Sequence, residues 1–487
     1  MKSLSLSLLC LSLAGCAAVG PDFRAPAVQA PAAYGEWHGG AASLRDTGLA
    51  AGSNQAFARF DDPVLRGLQQ QALAASFDLR SAALRFAQSR AQRSATASAQ
   101  GPQLAARAGA ARQRQSETGA GTRMVDAMAP ANRDALVEKL SDPFTAYQAG
   151  FDASWELDLW GRVRRSVEAA DADMVQASSL LREVQLSVQV EVARNYVEMR
   201  AAQRQQALLR EEIGAASELA GIAQARQRGG MVNDFDVERA RAVLAELQGR
   251  LPAQLELEAQ AVNRLTMLTA QQPGALSATL GARDGVTPFA AAPDLALGIP
   301  GEVLRHRPDI QAAEARLHGA TARIGIAVAD LYPRITLGLS LGFDSLAAGS
   351  LGDWASRQWS LGPSLHLPIF DNGRRRATVE LRELEQQEAA VAFQKTVLRA
   401  WHEMDDALSA YAAERQRQQA VRAREDSARA TLELAKLRQR QGLSDQQPVL
   451  EAQRTLLALQ RERSQGDAAL ALRLLAICKA GGLAPQA

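Results

Sequence analysis

Few residues of this chain are spaced for covalent chemistry. Gly338-Leu339-Ser340-Leu341-Gly342 has the G-x-S-x-G spacing of a nucleophile elbow, a motif that needs a sharp strand-to-helix turn to expose its serine. Here apolar residues alternate straight through both glycines, so Ser340 reads as an ordinary strand residue on the polar face. His402-Glu403 lacks the second histidine of a zinc-binding helix, and the five histidines show no ligand spacing. No glycine-rich loop ends in Lys-Ser or Lys-Thr, so nothing points to nucleotide hydrolysis. The chain reads as a non-enzyme without metal or cofactor, its work driven by a partner. Asp234 and Asp445 stand beside glycines that interrupt helical patterning, Gly230 and Gly442, where a carboxylate can cap the helix that follows.

One residue is placed for a covalent modification. Lys2 and the apolar run Leu4 to Leu13 form a secretion signal too short to span a bilayer as a helix. Leu13-Ala14-Gly15-Cys16 then resembles the bacterial lipobox. Acyl chains on Cys16 would anchor the protein, each buried methylene contributing about 0.8 kcal/mol. Ala17 is not the aspartate that retains such lipoproteins at the inner membrane, so a lipid-anchored outer-membrane address is expected. Cys10 leaves with the signal and Cys478 stands alone, so no intrachain disulfide is available. With 55 Lys and Arg against 53 Asp and Glu the net charge is only +2, which argues against a nucleic-acid binder, whose surface should carry a one-signed patch. No later segment has the roughly 18 consecutive apolar residues of a membrane helix.

The elements that position these residues occur twice. Asp78 aligns with Asp309 and Pro102 with Pro333, both at a separation of 231; beyond them Gly161-Arg162 aligns with Gly373-Arg374, Gly230 with Gly442 and Val237 with Val449, at 212. The 19 residues of difference therefore fall between Pro102 and Gly161, in a loop expected from Ser116 to Ala146. Residues 1–15 form the signal and 16–61 an extended Pro- and Ala-rich tether. Residues 62–272 form the first repeat, with a hairpin at about 103–157 and a long helical hairpin at 162–270. Residues 273–300 link it to the second repeat, 301–487, whose hairpin covers about 334–369 and helical hairpin 374–480. Asp62-Pro63 opens a helix running to about Gln100. Val163, Val167, Ala170, Met174, Ala177, Leu181, Val184 and Val188 recur at steps of four and three, a heptad seam that implies left-handed supercoiling.

The hairpins carry dyad alternation. Ile335 to Phe343, Trp359 to Ile369 and Tyr147 to Leu157 are apolar at every second position and small or polar between, with a weaker strand through Leu104, Ala106, Ala108 and Ala110. Strands of this length and alternation suit a membrane barrel, which must close to leave no edge in lipid. Four strands cannot close. Two chains would supply eight strands and three chains twelve, and the larger barrel leaves an open lumen.

Leu304-Arg305-His306-Arg307-Pro308-Asp309-Ile310, Ala313-Glu314-Ala315, Ile324-Gly325 and Tyr332-Pro333-Arg334-Ile335 resemble the hallmark stretch of outer-membrane efflux proteins, and Gly20-Pro21-Asp22-Phe23 fits their mature N-terminus. The chain is most similar to the lipid-anchored NodT-type channels of resistance-nodulation-division (RND) pumps. That resemblance implies a membrane α+β fold: a trimeric 12-stranded β-barrel, four strands per chain, continued by a long α-helical coiled-coil periplasmic tunnel. It implies a homotrimer in the lipid membrane, with a periplasmic adaptor and an inner-membrane RND pump as partners, no nucleic acid, and no cofactor beyond covalent lipid (palmitate among its chains) on Cys16.

It also implies that the breaks at Gly230 and Gly442 are periplasmic tips, constricted by carboxylate rings and ion pairs. On the family pattern Glu451 holds an acidic position, Asp236 holds another, and Arg226 and Arg438 match the arginine of an Arg-Tyr pair. Pro448 and Arg239 stand where further acids occur, and Gln227 and Gln439 replace the tyrosines. A passive exit duct for drugs or other small toxic solutes is expected. A protein-secretion duct of the same fold and a coiled-coil lipoprotein scaffold without a pore are the alternatives, and the paired strand patterns speak against the scaffold.

Overall fold

The computed structural model describes residues 18–27, 62–119, 132–281 and 305–483, together with 125 and 128. Cys16, the signal, most of the tether and much of the linker lie outside the described residues. Helix α1 (Pro63–Ala75) starts as expected, with the Asp62 carboxylate accepting from the Val64 amide at 2.8 Å and proline at the first helical position. The single helix expected to run to Gln100 is instead broken at Ser76, and α2 (Phe77–Ala97) follows, ending in a 3-10 turn over Ser98–Gln100. Ser76 serves both helices: its amide donates to the Ala72 carbonyl, and its own carbonyl accepts from Arg80. A break made this way needs neither glycine nor proline, so residue type does not betray it.

Two compact units make up the described chain. One comprises the described residues within 1–24, 89–174 and 316–389 and contains a wholly antiparallel sheet in the order β1 (Gln103–Gln113), β2 (Phe144–Glu156), β3 (Arg334–Ser345) and β4 (Arg357–His366). Ala106, Phe151, Leu341 and Trp359 lie in one row across it, and Arg107, Gly150, Gly342 and Gln358 in the next. Because side chains alternate between faces, one face is apolar and the other small or polar, and the two repeats meet where β2 pairs with β3. The apolar face is uncovered: Phe151, Trp359, Leu361 and Leu365 are all exposed. On the polar face Arg107 pairs with Asp152 at 3.1 Å and donates to the Ser340 hydroxyl, which is therefore a strand residue and not an elbow nucleophile.

Two expectations for this sheet need correction. The fourth strand ends at His366 and does not reach Ile369; Pro368 has no amide to continue the ladder, and Ile369 and Phe370 stand fully exposed. The loop between the first two strands contains a nine-residue helix, α3 (Arg133–Ser141), with Asp134 in its first turn and Lys139 in its last, where both complement the helix dipole.

The long helix α4 (Arg162–Arg228) begins in this unit and continues into the second, which comprises residues 25–88, 175–315 and 390–487. There it packs with α5 (Asp234–Leu268), the short α6 (Ser277–Leu280) and the end parts of the chain that follow. Helix α7 (Pro308–Ala329) leads to β3, and the second long hairpin is α8 (Arg374–Arg440) and α9 (Gln447–Ala480). Val192, Ala193, Tyr196, Val197 and Met199 of α4 share one core with Leu65 and Leu68 of α1, Leu265 of α5, Met404, Leu408 and Tyr411 of α8, and Leu474 and Leu475 of α9. The heptad seam, Val163 to Val188, is buried or half-buried at every position, and beyond it the burial widens. From Leu186 to Leu209 α4 is buried nearly all round, polar residues such as Gln203, Gln205 and Gln206 included. Several helices enclose it at once, and the side-chain amides of these three glutamines donate to Glu258, the Leu280 carbonyl and the Arg461 carbonyl. Among the described residues no helix is long and apolar enough to cross a membrane.

Gly150 and Gly342 face each other across β2 and β3 with no room for a side chain. A Cβ on Gly150 would approach the Leu341 carbonyl oxygen to 2.7 Å, and one on Gly342 would approach the Ala149 oxygen equally closely. Backbone atoms cannot yield as a side-chain tip would, so Gly150→Val should disrupt the pairing by at least the ~1–3 kcal/mol of ordinary overpacking. The expected outcome is a lower unfolding temperature of the detergent-solubilised protein, read by circular dichroism beside Ala149→Val, which alters the opposite face.

Candidate functional site

Two turns join the long helices, α4 to α5 and α8 to α9, and their backbones are copies of each other. Gly230 and Gly442 both adopt φ +71°, a conformation glycine takes at no steric cost. The Met231 amide donates to the Arg226 carbonyl and Gly230 to Gln227, both at 2.9 Å; Leu443 to Arg438 and Gly442 to Gln439 repeat the pattern at the same length. This is the Schellman termination, and every bonding residue lies 212 positions from its counterpart.

Side chains at the two turns differ. The Arg226 guanidinium is paired with the Asp445 carboxylate and donates to Gln447 Oε1 at 2.7 Å; Gln447 Nε2 in turn donates to Glu451 Oε1 at 2.9 Å. Asp445 also accepts from the Gln447 amide at 3.2 Å, so it stabilises the start of α9 as well. The chain Asp445–Arg226–Gln447–Glu451 therefore ties the tip of the first helical hairpin to that of the second. Its counterparts 212 residues earlier are Asn233 for Asp445, Phe235 for Gln447 and Arg239 for Glu451, so the same network cannot be built with Arg438. Arg438 is exposed and makes no ion pair with a described residue of its own chain.

The expectation that Asp234 caps α5 is corrected: Asn233 does so, accepting from the Asp236 amide at 3.2 Å. Asp234 instead accepts from Gln227, the residue that replaces a family tyrosine. Asp236 sits in the first turn of α5, where its charge suits the helix dipole. Among the described residues Glu451 makes no ion pair, and its side chain bonds Gln447 alone. The structure thus gathers Arg226, Asp445 and Glu451, leaves Arg438 and Asp236 apart, and adds Gln447 and Asn233. Asn233 was findable, since the repeat register sets it against Asp445; nothing in the register marks Gln447. Met231, Phe235 and Leu443 project from the tips, each about 70% exposed or more.

A second arrangement lies just after Cys16. Residues 18–23 are held in a cradle: Val19 donates to the Trp160 carbonyl at 3.0 Å, and the buried Arg165 guanidinium reaches Asp22 at 2.6 Å and Glu168 at 2.8 Å. Phe23 stacks on His318 with ring centres 4.4 Å apart, and His318 bonds Glu168 at 2.9 Å. Glycines make this possible. Gly20, at φ +91°, lies so close to Gly325 that a Cβ would come within 2.5 Å of the Gly325 Cα, and a Cβ on Gly161 would strike Ala18. Trp160 and Tyr332 stack beside it, the Trp160 indole donating to the Pro333 carbonyl.

Elsewhere the chemistry is quiet. Among the described residues no group of three or more His, Cys, Asp or Glu could hold a metal. A cavity of about 310 Å³ among α4, α5 and α9, lined by Glu198, Gln205, Gln254, Gln260, Arg264 and Leu472, contains no nucleophile-base pair. Burial pushes the Cys478 thiol up to about 12, leaving it unreactive.

The sequence profile of the outer membrane efflux protein family matches residues 68–271 and 299–483. Outer membrane protein OprJ of Pseudomonas aeruginosa is 31% identical over 461 residues, covering 93% of this chain and 89% of that protein. Toluene efflux pump outer membrane protein TtgF of Pseudomonas putida is 30% identical over 470 residues, covering 95% and 93%. Among solved structures the outer-membrane channel OprN superposes with a TM-score of 0.81 at 30% identity, over 95% of this chain and 98% of that one. The fold is theirs: four strands per chain toward a trimeric twelve-stranded barrel, with long helical hairpins for the wall of a tunnel.

The cradle carries a pH dependence. Burial would raise the Glu168 carboxyl, but hydrogen bonds from Arg165 and His318, with their charges, outweigh it and hold the group below its ordinary 4.5. A carboxyl depressed in the folded state stabilises above its ordinary value and loses that contribution as pH falls through the folded one. Residues 18–23 should therefore become accessible to an acid-active protease only at a pH below the ordinary 4.5 of a glutamate, and Glu168→Gln should expose them at neutral pH.

Proposed function

The chain belongs to the outer membrane efflux protein family, and from that premise we propose that it is a passive exit duct for drugs or other small toxic solutes, gated at its helix tips. It resides in the outer membrane, held there by its barrel and by lipid on Cys16. Three chains supply the twelve strands, and a periplasmic adaptor and an RND pump supply the contact and the energy. It catalyses no reaction and carries no cofactor apart from the lipid. The toluene efflux pump served by the TtgF relative is the kind of system this reading assigns to it.

The observation that carries the reading is a four-stranded sheet with one uncovered apolar face and two unpaired edges. Such a sheet suits lipid only when closed, which also sets aside the scaffold reading. The clasp of Arg226 with Asp445 and Gln447 is the resting gate. An ion pair this exposed contributes about 1 kcal/mol or less, so three clasps per trimer are weak enough for an adaptor seated on the apolar tips to part them. A ring of three Glu451 carboxylates at the mouth attracts cations and is screened by salt.

Conductance of the purified protein in a planar bilayer tests this. The wild type should be mostly closed at rest, with Asp445→Asn, Arg226→Gln and Glu451→Ala each raising the open fraction several-fold, and high salt acting in the same direction on the wild type. Unchanged conductance in Asp445→Asn would remove the clasp as the gate. A protein that forms no trimer in detergent would sink the duct itself.

A further inference from the structure

Closure of the barrel requires β4 of one protomer to pair with β1 of the next, and the two strands leave one register for full pairing. β4 has ten residues and β1 eleven. The in-chain rows place odd-numbered residues of β4 and even-numbered residues of β1 on the apolar face. A slip of one residue would turn one strand's apolar side chains to the wrong face. Antiparallel pairing that uses all ten residues of β4 and keeps the faces matched sets Arg357 opposite Arg112 of the partner subunit and His366 opposite its Gln103. On the apolar face Trp359 then meets Ala110, Leu361 meets Ala108, Pro363 meets Ala106 and Leu365 meets Leu104, bulky side chains against small ones.

That register creates a problem at one end. Arg357 and Arg112 both belong to the lipid-facing side, directly opposed, and like charges so placed repel. Neither makes an ion pair with a described residue of its own chain. Glu117 and Asp142, carboxylates in the same loop region, are engaged by Arg114 at 2.6 Å and Lys139 at 3.2 Å, Asp344 points to the polar face, and the exposed Asp353 forms no ion pair with Arg357, whose guanidinium turns to Trp354 instead. Arg357 is held in place: it stacks over Trp354 at 4.3 Å and donates to the Trp354 carbonyl at 2.6 Å. Trp354 and Trp359 are 74% and 70% exposed, as aromatic residues are at the membrane–water boundary. The end concerned is the one joined by loops rather than by long helices, hence the outer leaflet.

We propose that each protomer seam binds the phosphate of an outer-leaflet lipid headgroup between Arg357 and Arg112 of the partner subunit, three sites per trimer. The inference rests on the barrel reading above. Two guanidinium groups matched to one phosphate give charge-assisted, forked hydrogen bonding, and the tryptophans fix the depth at which the headgroup meets them.

Two measurements on the detergent-solubilised trimer test it. In the double variant Arg112→Cys with Arg357→Cys, oxidation should link protomers into a covalent trimer, because directly opposed residues lie within disulfide reach. Native mass spectrometry with added lipid A should show up to three lipids retained, binding about tenfold weaker or worse after Arg112→Gln or Arg357→Gln, and none retained with dephosphorylated lipid A. An intact trimer that does not cross-link, or that holds lipid A irrespective of its phosphates or of both arginines, overturns the proposal and leaves the duct standing. Displacement of lipid A by millimolar inorganic phosphate would identify a free-ion site and overturn the lipid assignment. Absence of a trimer in the wild type overturns the duct reading and this proposal with it.

Discussion

The unpaired edges of the four-stranded sheet are the constraint on which the rest of this protein depends. Each free amide or carbonyl on β1 and β4 would cost several kcal/mol in hydrocarbon, and four strands cannot curl far enough to pair with one another. The duct is therefore a property of three chains and not of one. The apolar face with its exposed tryptophans and leucines, the small residues of the opposite face, and the close contact of Gly150 with Gly342 all serve a sheet that must curve and close.

The duplication has a physical limit at the helix tips. Both turns reproduce the same glycine conformation and the same pair of 2.9 Å bonds, since ending one helix and starting another poses the same backbone problem twice. The side chains have diverged. Arg226 finds Asp445 and Gln447, whereas the register offers Arg438 only Asn233, Phe235 and Arg239. A backbone that repeats and a chemistry that does not suits the proposed gate, because partly exposed ion pairs are weak singly and can be parted without disturbing the turns that present them.

The same division appears in the segment after Cys16. Gly20, Gly161 and Gly325 are spread over three hundred residues, yet they shape one cradle around Arg165. Packing of this kind fixes where residues 18–23 lie close to the strand bases, with Trp160 and Tyr332 stacked beside them. No periodicity announces it, because each glycine is demanded by a neighbour distant in the chain.

Much was legible before any coordinates. Alternation at period two marked β2 and β3, the absence of helix breakers marked α4 and α8, and the 212-residue register marked both tips, because these signals are local and repeat. Fine boundaries were less so: Ser76 breaks a helix without a breaker residue, and β4 ends at His366, short of Pro368. The heptad seam marked the buried face of α4 up to Val188, but not the fuller enclosure that follows it. Arg226, Asp445 and Glu451 could be named as tip residues, but Gln447, which joins two of them, could not, because a hydrogen bond between helices 221 residues apart has no sequence signature. Sequence by itself determined the elements, their duplication and the need for partner chains, since these follow from pattern and from the cost of unpaired backbone. Tertiary structure alone decided which side chains meet, because that depends on distances that no spacing along the chain encodes.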